Sequence, residues 1–205
     1  AGVIVEETFV GKEYRLLTTR QKVVGALYRM PANVVGDGKS TIEELIEVKN
    51  SDPRRGSDDT YALFKIKLDE DLLGYLKDQN LTLKTVPKEG ERVFVRRVSN
   101  IAKGGDSIDM TDEMHPSVAE LAVKAVNAIP GLDFTGVDFM TSDISKPQDK
   151  NSYCIIEVNT SPGFCIQEFA YQGKPRGGGK EFIYILFPEL RPDEKKTEKA
   201  DKKDK

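Results

Sequence analysis

Only two residues, Arg20 and Gln21, separate the strand-like runs Glu13–Thr19 and Lys22–Met30. So short a link can only turn the chain back on itself, because parallel neighbours need a crossover of a dozen residues or more. These runs are read as an antiparallel hairpin. Phe134–Met140 and Tyr153–Asn159 are read as a second pair, facing each other across a polar turn. Val3–Glu7 (VIVEE) is β-branched and is taken as an opening strand broken at Gly11, and Arg92–Val98 as a further strand. Ser40 with Glu43 three residues on reads as a capping box, opening a helix that buries Ile42, Leu45 and Ile46. A short helix around Glu70–Asp78 buries Leu72, Leu73 and Leu76. Pro116 fits the first turn of a helix through Ile129, whose apolar positions from Val118 to Ile129 follow helical spacing. The glycine-rich stretch 173–179 leads into a last helix near Lys180–Phe187, while 31–39, 50–60 and 99–112 read as loops. Hairpins without βαβ alternation predict an α+β fold, a mainly antiparallel sheet flanked by helices.

At 205 residues the chain suits one domain, placed at 1–190, with a charged, solvated tail at 191–205. That tail holds 7 basic and 5 acidic groups; against the overall net charge of −3, it leaves the body at −5. An acidic body argues against a nucleic-acid binder held by phosphate contacts. Two cysteines (Cys154, Cys165) and one histidine exclude a disulfide framework and a Cys/His zinc site. His115 sits where a helix begins, a poor place to build a nucleophile–base pair. No run is long and apolar enough to span a membrane, and no signal peptide precedes the first strand, so the expected compartment is the cytoplasm. The chain starts Ala-Gly-Val without Met and reads as a fragment. There is no GxGxxG or Walker A motif; Gly177–Gly179 lacks the spacing of either.

The densest chemical signal is GVDFM followed by IIEVNTSPG. Asp138 lies in an apolar strand, and Glu157 and Asn159 lie two apart in another, so they share a face. In a hairpin Asp138 joins them, giving three hard oxygen donors suited to Mg²⁺ held together with phosphates. The alternative is one carboxylate capping a turn and another in solvent. The turn 160–163 can aim backbone N–H groups at an oxyanion, with Gly163 allowing close approach, or is an ordinary turn. Glu6, Phe9 and Glu13 can meet a purine edge and ribose hydroxyls, or form a solvated acidic strand. Arg15, Arg29, Arg96 and Arg97 offer bidentate anion contacts, or are surface arginines. Arg96 and Arg97 point to opposite faces, so at most one serves the site.

Together these motifs resemble the ATP-grasp superfamily of ATP-dependent carboxylate–amine ligases. VIVEETFVGKEYRLL is similar to that family's adenine-binding strand, and GVDF with IIEVNTSPG to its magnesium signature; D-alanine–D-alanine ligases share the N-T-S-P-G ending. PANVVGDGKSTIEELIEVKNSDPRRG and SNIAKGGDSIDMTD are closer to the glutathione-synthetase module of bifunctional glutamate–cysteine ligase/glutathione synthetase and to cyanophycin synthetase, which also shares GKPR. The resemblance runs from Val3 to about Leu190, with the motifs in the family's order. It implies the carboxy-terminal subdomain of the grasp, with ATP and Mg²⁺ as cofactors and Mn²⁺ as an alternative. Partners would be small amino-acid or peptide carboxylates and amines, with neither nucleic acid nor membrane, and a homo-oligomer is compatible.

By position, it assigns Glu6 and the backbone at Phe9 to adenine, Glu13 to ribose, and Asp138, Glu157 and Asn159 to the metal. Arg96 would touch phosphate or acyl phosphate, Gly163 the substrate carboxylate, and Arg15 and Arg29 phosphate or acceptor. The chain also departs from these relatives. Gly136 stands where D-alanine ligases carry an arginine, Ala102-Lys103 replaces a common Ser-Thr, and Pro162-Gly163 differs from the glutathione module. The family's other lip, upstream of the hinge, supplies phosphate-binding lysines that this chain does not contain, so the fragment alone is expected to be folded but weak or inactive. Two rivals remain: a non-catalytic ATP-binding module of the same fold, and a metal-dependent nuclease or phosphatase using Asp138 and Glu157.

Overall fold

Arg20 and Gln21 turn the chain as their spacing demands. In the computed structural model the Thr19 N–H donates to the Lys22 carbonyl at 2.8 Å, and Tyr14 pairs with Tyr28 in antiparallel register. The strands so joined are β1 (Lys12–Thr19) and β2 (Val23–Met30). Residues 2–5, 8–58, 60–163 and 165–192 are described; Glu6 and the tail beyond Pro192 lie outside them.

After β2 come β3 (Asn33–Val35), α1 (Ile42–Asn50), and the two-residue strands β4 (Arg55–Gly56) and β5 (Leu63–Phe64). α2 (Glu70–Asp78) and β6 (Arg92–Phe94) follow, and β7 (Asp106–Asp109) returns to the main sheet. α3 (Pro116–Asn127) leads to β8 (Phe134–Thr141) and β9 (Tyr153–Asn159); α4 (Cys165–Glu168) and α5 (Gly178–Leu186) come last. The main sheet has five strands in the order β7-β2-β1-β8-β9, antiparallel at every step. The α+β expectation holds.

Strand alternation divides this sheet into two unlike faces. Tyr14, Leu16, Ala26, Val137 and Phe139 point to one side and form a core with Val118, Ala122 and Val126 of α3. His115 caps that helix, its ring nitrogen accepting the Ser117 N–H. The opposite face carries Glu13, Arg15, Leu17 and Asp138. A second core, built from residues 32–95, packs Val34, Ile42, Ile46, Leu72, Leu76 and Val93 together. Asp106 of β7 ties it to the sheet: the carboxylate pairs with Arg55, accepts Lys49 Nζ at 2.6 Å and accepts Asn33 Nδ2 at 2.9 Å. All three partners belong to the second-core segment. Burial pushes the Lys49 ammonium down from its usual range, and Asp106 opposes that shift.

Several local expectations are corrected. Val3, Ile4 and Val5 form no strand and are 83–92% exposed, because no strand edge among the described residues runs beside them to complete a ladder. The capping box is displaced by one residue, to Thr41 and Glu44, since Asp37 already engages the Ser40 N–H and hydroxyl. β3, β4 and β7 arise inside stretches read as loops, and β6 ends at Phe94 rather than at Val98. Leu73 faces solvent; α2 buries Leu72 and Leu76.

The glycine-rich stretch is strapped to the sheet by charge. Arg176 donates through Nε to Asp109 at 2.8 Å and through Nη1 to Asp112 at 2.8 Å. A Cβ on Gly173, which sits at φ +122°, would fall 2.2 Å from Asp109 Cβ, so only glycine permits this approach.

Two outcomes are expected. Asp106→Asn strips a nearly inaccessible pair of cations of their counter-charge and should cost about 3–5 kcal/mol of unfolding free energy in urea titration. Burial alone would raise the Asp109 carboxyl, but the hydrogen bonds from Arg176 and Thr111 outweigh it and hold it below the usual carboxylate range. Its stabilisation is therefore full above the unfolded value of about 3.9 and lost as pH falls through the lower folded value. Asp109→Asn should lower stability at pH 7 by about 2 kcal/mol and flatten that acid limb of the urea-midpoint profile.

Candidate functional site

The face opposite α3 collects charge because three neighbouring strands put the same parity of residue there. In the β1–β8 ladder Arg15 sits opposite Asp138 and Leu17 opposite Gly136; in the β8–β9 ladder Asp138 sits opposite Glu157 and Gly136 opposite Asn159. A β-bulge between Asp138 and Phe139 gives β9 an extra residue at this point. Ile156 takes it up and is 52% exposed, while Val158 packs on the core as the alternation predicts. The bulge lets Glu157 share Asp138's face without moving Ile155 off the core.

Asp138 is 3% exposed, and a carboxylate that deep needs cations. Arg15 Nε lies 2.6 Å from Oδ1, and Arg29 Nη2 lies 3.2 Å from Oδ2. Arg29 also pairs with Glu13, so β1 and β2 together fix both guanidinium groups. Gly136 makes room: a Cβ there would stand 2.6 Å from Arg15 Nη1 and 3.2 Å from Pro162 Cβ. Arg15 thus crosses above Gly136, and the 160–163 turn lies against that crossing. Asn159 donates its amide to Glu157 Oε1 at 2.8 Å, which leaves the amide oxygen as a donor to a cation.

The electrostatics separate the two acids. Burial pushes the Asp138 carboxyl up; Arg15 and Arg29 oppose this and Glu157 adds to it. Glu157, at the exposed rim, is lowered by the Asn159 amide and then by its hydrogen bond with Asp138. Two carboxyl groups in such contact repel when both are ionised, and a divalent cation beside an amide oxygen relieves that repulsion. The donors are all hard oxygens, as Mg²⁺ requires. Among the described residues no three His, Cys, Asp or Glu side chains converge on one point; the oxygen nearest Asp138 and Glu157 from another side chain is the amide oxygen of Asn159.

The structure thus brings together Asp138, Glu157, Asn159, Arg15, Arg29 and Glu13. Gly163 follows in the adjoining turn, exposed and with open space around it. Phe9 is half-buried and packs by Gly11, near the Thr141 end of β8; Glu6 lies outside the described residues. Arg96 is not brought to the group. It lies beyond the end of β6, 4% exposed, donating to the Lys67 carbonyl and to Asp69 at 2.7 Å, while Arg97 on the other side is exposed and pairs with Asp78. The strand stops at Phe94, four residues short of Val98, before it reaches Arg96. The Glu13–Arg29 pair was missed, although the hairpin register carries it: the rungs through Tyr14–Tyr28 continue directly to these two residues.

The fold matches a crystal structure of a bifunctional glutathione synthetase from Pasteurella multocida with a TM-score of 0.80 and 41% sequence identity, over 90% of this chain and 25% of that one. In sequence the chain is 44% identical over 187 residues to a glutathione biosynthesis bifunctional protein from Clostridium perfringens, covering 91% of this chain and 24% of the relative. It is 41% identical over 190 residues to a cyanophycin synthetase from Crocosphaera subtropica, covering 93% and 22%. No family model matches. Sequence and fold together place the chain in the ATP-grasp superfamily. It spans about a quarter of the length of the curated relatives it matches. No helix among the described residues is long and apolar enough to cross a membrane.

Gly136→Ala should push the Arg15 guanidinium off Asp138. The expected cost is about 1–3 kcal/mol in denaturant unfolding, the range typical of overpacking, and Leu17→Ile on the same face serves as a volume-conserving comparison.

Proposed function

We propose that the chain is the metal- and phosphate-holding segment of an ATP-dependent carboxylate–amine ligase of the glutathione-synthetase or cyanophycin-synthetase kind. One observation carries the reading: Asp138, Glu157 and Asn159 stand side by side on one sheet face with two guanidinium groups fixed beside them. In this role the three oxygen donors hold Mg²⁺, with Mn²⁺ as an alternative. The ion supplies charge neutralisation at the γ-phosphate and orientation for in-line transfer.

The chain's own residues do the rest. Arg15 and Arg29 keep N–H groups within reach of phosphate oxygens, held in place by Asp138 and Glu13. Because those ion pairs already orient both guanidiniums, little side-chain freedom is lost when phosphate arrives. The exposed backbone of Gly163, in the turn packed on Gly136 and Arg15, meets the substrate carboxylate. The segment before β1, with Glu6 and Phe9, meets adenine, and Glu13 reaches towards ribose from the pair it makes with Arg29. A substrate carboxylate oxygen bonds to the γ-phosphorus as the bridging O–P bond breaks, giving an acyl phosphate and ADP. The amine nitrogen then bonds to that carbonyl carbon, the C–O bond to phosphate breaks, and the amine loses a proton.

Mg·ATP should raise the melting temperature of the chain through linkage, and Glu157→Gln should weaken the underlying affinity by at least the ~10–100-fold that loss of even an outer-shell partner costs. Glu157 is at the rim, so the variant folds. An unchanged Mg-dependent shift in Glu157→Gln would refute the metal assignment. In the longer protein of which such a segment forms part, acceptor-dependent ADP release should disappear with the same substitution. Retention of nucleotide binding without acceptor-dependent ADP release in the unmutated protein would favour a non-catalytic module.

A further inference from the structure

Where the second core meets the β7 end of the sheet, a groove of about 700 Å³ opens between them. That volume lies inside the range of small-molecule pockets, roughly 300–1,000 Å³. One wall is aliphatic, made by Val34 and Val35 of β3 with Leu45 and Val48 of α1. Val35 is 45% exposed and Val48 69%. The other wall is cationic. Tyr171 gathers three cations over its ring, Lys49 at 5.1 Å, Arg54 at 5.2 Å and Arg55 at 5.4 Å, and Arg92 lines the same groove.

Asp52 and Asp106 are the carboxylates lining this groove, and both are committed. Arg54 holds Asp52 through Nη2 at 2.7 Å and Nε at 3.0 Å, and its Nη1 donates to the Ala170 and Tyr171 carbonyls. Asp106 takes Arg55, Lys49 and Asn33, and Lys49 also donates to the Asn33 carbonyl at 2.8 Å. Arg92 makes no ion pair among the described residues. Its Nη1 donates to Asn33 Oδ1 and lies 3.5 Å from Met30 Sδ, while its Nε–Nη2 edge bonds to no described residue. Four cations thus meet two carboxylates, and the donors left over are on that edge. Burial pushes the Lys49 ammonium down, Asp106 opposes this, and Arg55 and Arg92 add to it.

The backbone sets both walls. In the β3–β6 ladder Arg92 stands directly opposite Val35, and Asn33, two residues back on the same face, holds the guanidinium. Leu45, Val48 and Lys49 lie three and four residues apart and share a side of α1. We propose that this groove binds a small aliphatic monocarboxylate, its head on the Nε–Nη2 edge of Arg92 and its hydrocarbon body against Val35, Leu45 and Val48. A carboxylate has two oxygens in one plane, matched to one guanidinium edge. A phosphate would bring a second charge and a tight hydration shell to an aliphatic wall that cannot replace its water. The acid is either free or the terminal carboxylate of a short peptide. No residue lining the groove belongs to the Asp138 group, so the inference does not rest on the metal reading.

The test is a ¹H–¹⁵N titration of the full chain with acetate, butyrate and hexanoate at constant ionic strength. Saturable shifts are expected at Val35, Val48 and the Arg92 Nε–H, with affinity rising about two- to fourfold per added methylene. Arg92→Gln, at an exposed position, should weaken hexanoate roughly tenfold. Val48→Ser, also exposed, should spare acetate and flatten the rise with chain length. Glu157→Gln should leave hexanoate binding unchanged while weakening Mg·ATP, which separates this inference from the metal assignment. Tighter binding of N-acetyl-alanyl-leucine than of hexanoate would identify a peptide terminus as the source of the carboxylate; weaker binding would identify a free acid. Absence of saturable shifts, hexan-1-ol or inorganic phosphate binding as tightly as hexanoate, equal binding by Arg92→Gln, or an equal loss from Lys124→Gln on α3 would overturn the proposal.

Discussion

A carboxylate in the middle of a five-stranded sheet is tolerated only with cations beside it, and Asp138 has two. The Arg15–Asp138–Arg29 contact dictates the rest of that face. It requires the register of β1 against β8, because Arg15 must stand directly opposite Asp138. It requires a residue without a side chain at Gly136, because the guanidinium passes over it. It brings Glu13 in as the second partner of Arg29, and it leaves Glu157, one strand further out, as the acid at the rim. The face is thereby asymmetric, with a carboxylate paired to two arginines inside and an exposed one outside.

Much of this was legible from period-two alternation and loop length. A two-residue turn leaves one topology, so β1 and β2 were fixed by spacing, and Asp138, Glu157 and Asn159 could be placed on one face before any coordinates. α3 was legible for the same kind of reason, as six apolar positions at helical spacing behind a proline. The failures have a common cause, which is that they depend on partners distant in sequence. β3 and β7 are short, three and four residues, and exist only because β6 and β2 offer them edges. VIVEE has strand composition but no edge beside its described residues. Arg96 was assigned by resemblance, but the strand that carries it stops at Phe94, and Arg96 turns instead to the Asp69 cap of α2.

The second core shows how a sheet with one chemical face can carry an additional body without disturbing it. Residues 32–95 bury their own apolar set and touch the sheet through polar groups converging on Asp106. Such a joint depends on direction and charge rather than on apolar area, so the added body has a defined seat while both cores stay separately packed.

The pairing that completes the charged face joins residues 123 apart, whereas the β1–β2 hairpin needs only neighbours. Loop-closure entropy rises with the length of chain enclosed, and everything in the second core lies inside that loop. Once the inner body is compact, the span to be closed is shorter in effect, and β8 can reach β1 at a smaller entropic penalty. The second core, which looks peripheral to the charged face, therefore shortens the effective span between the two strands whose meeting creates that face.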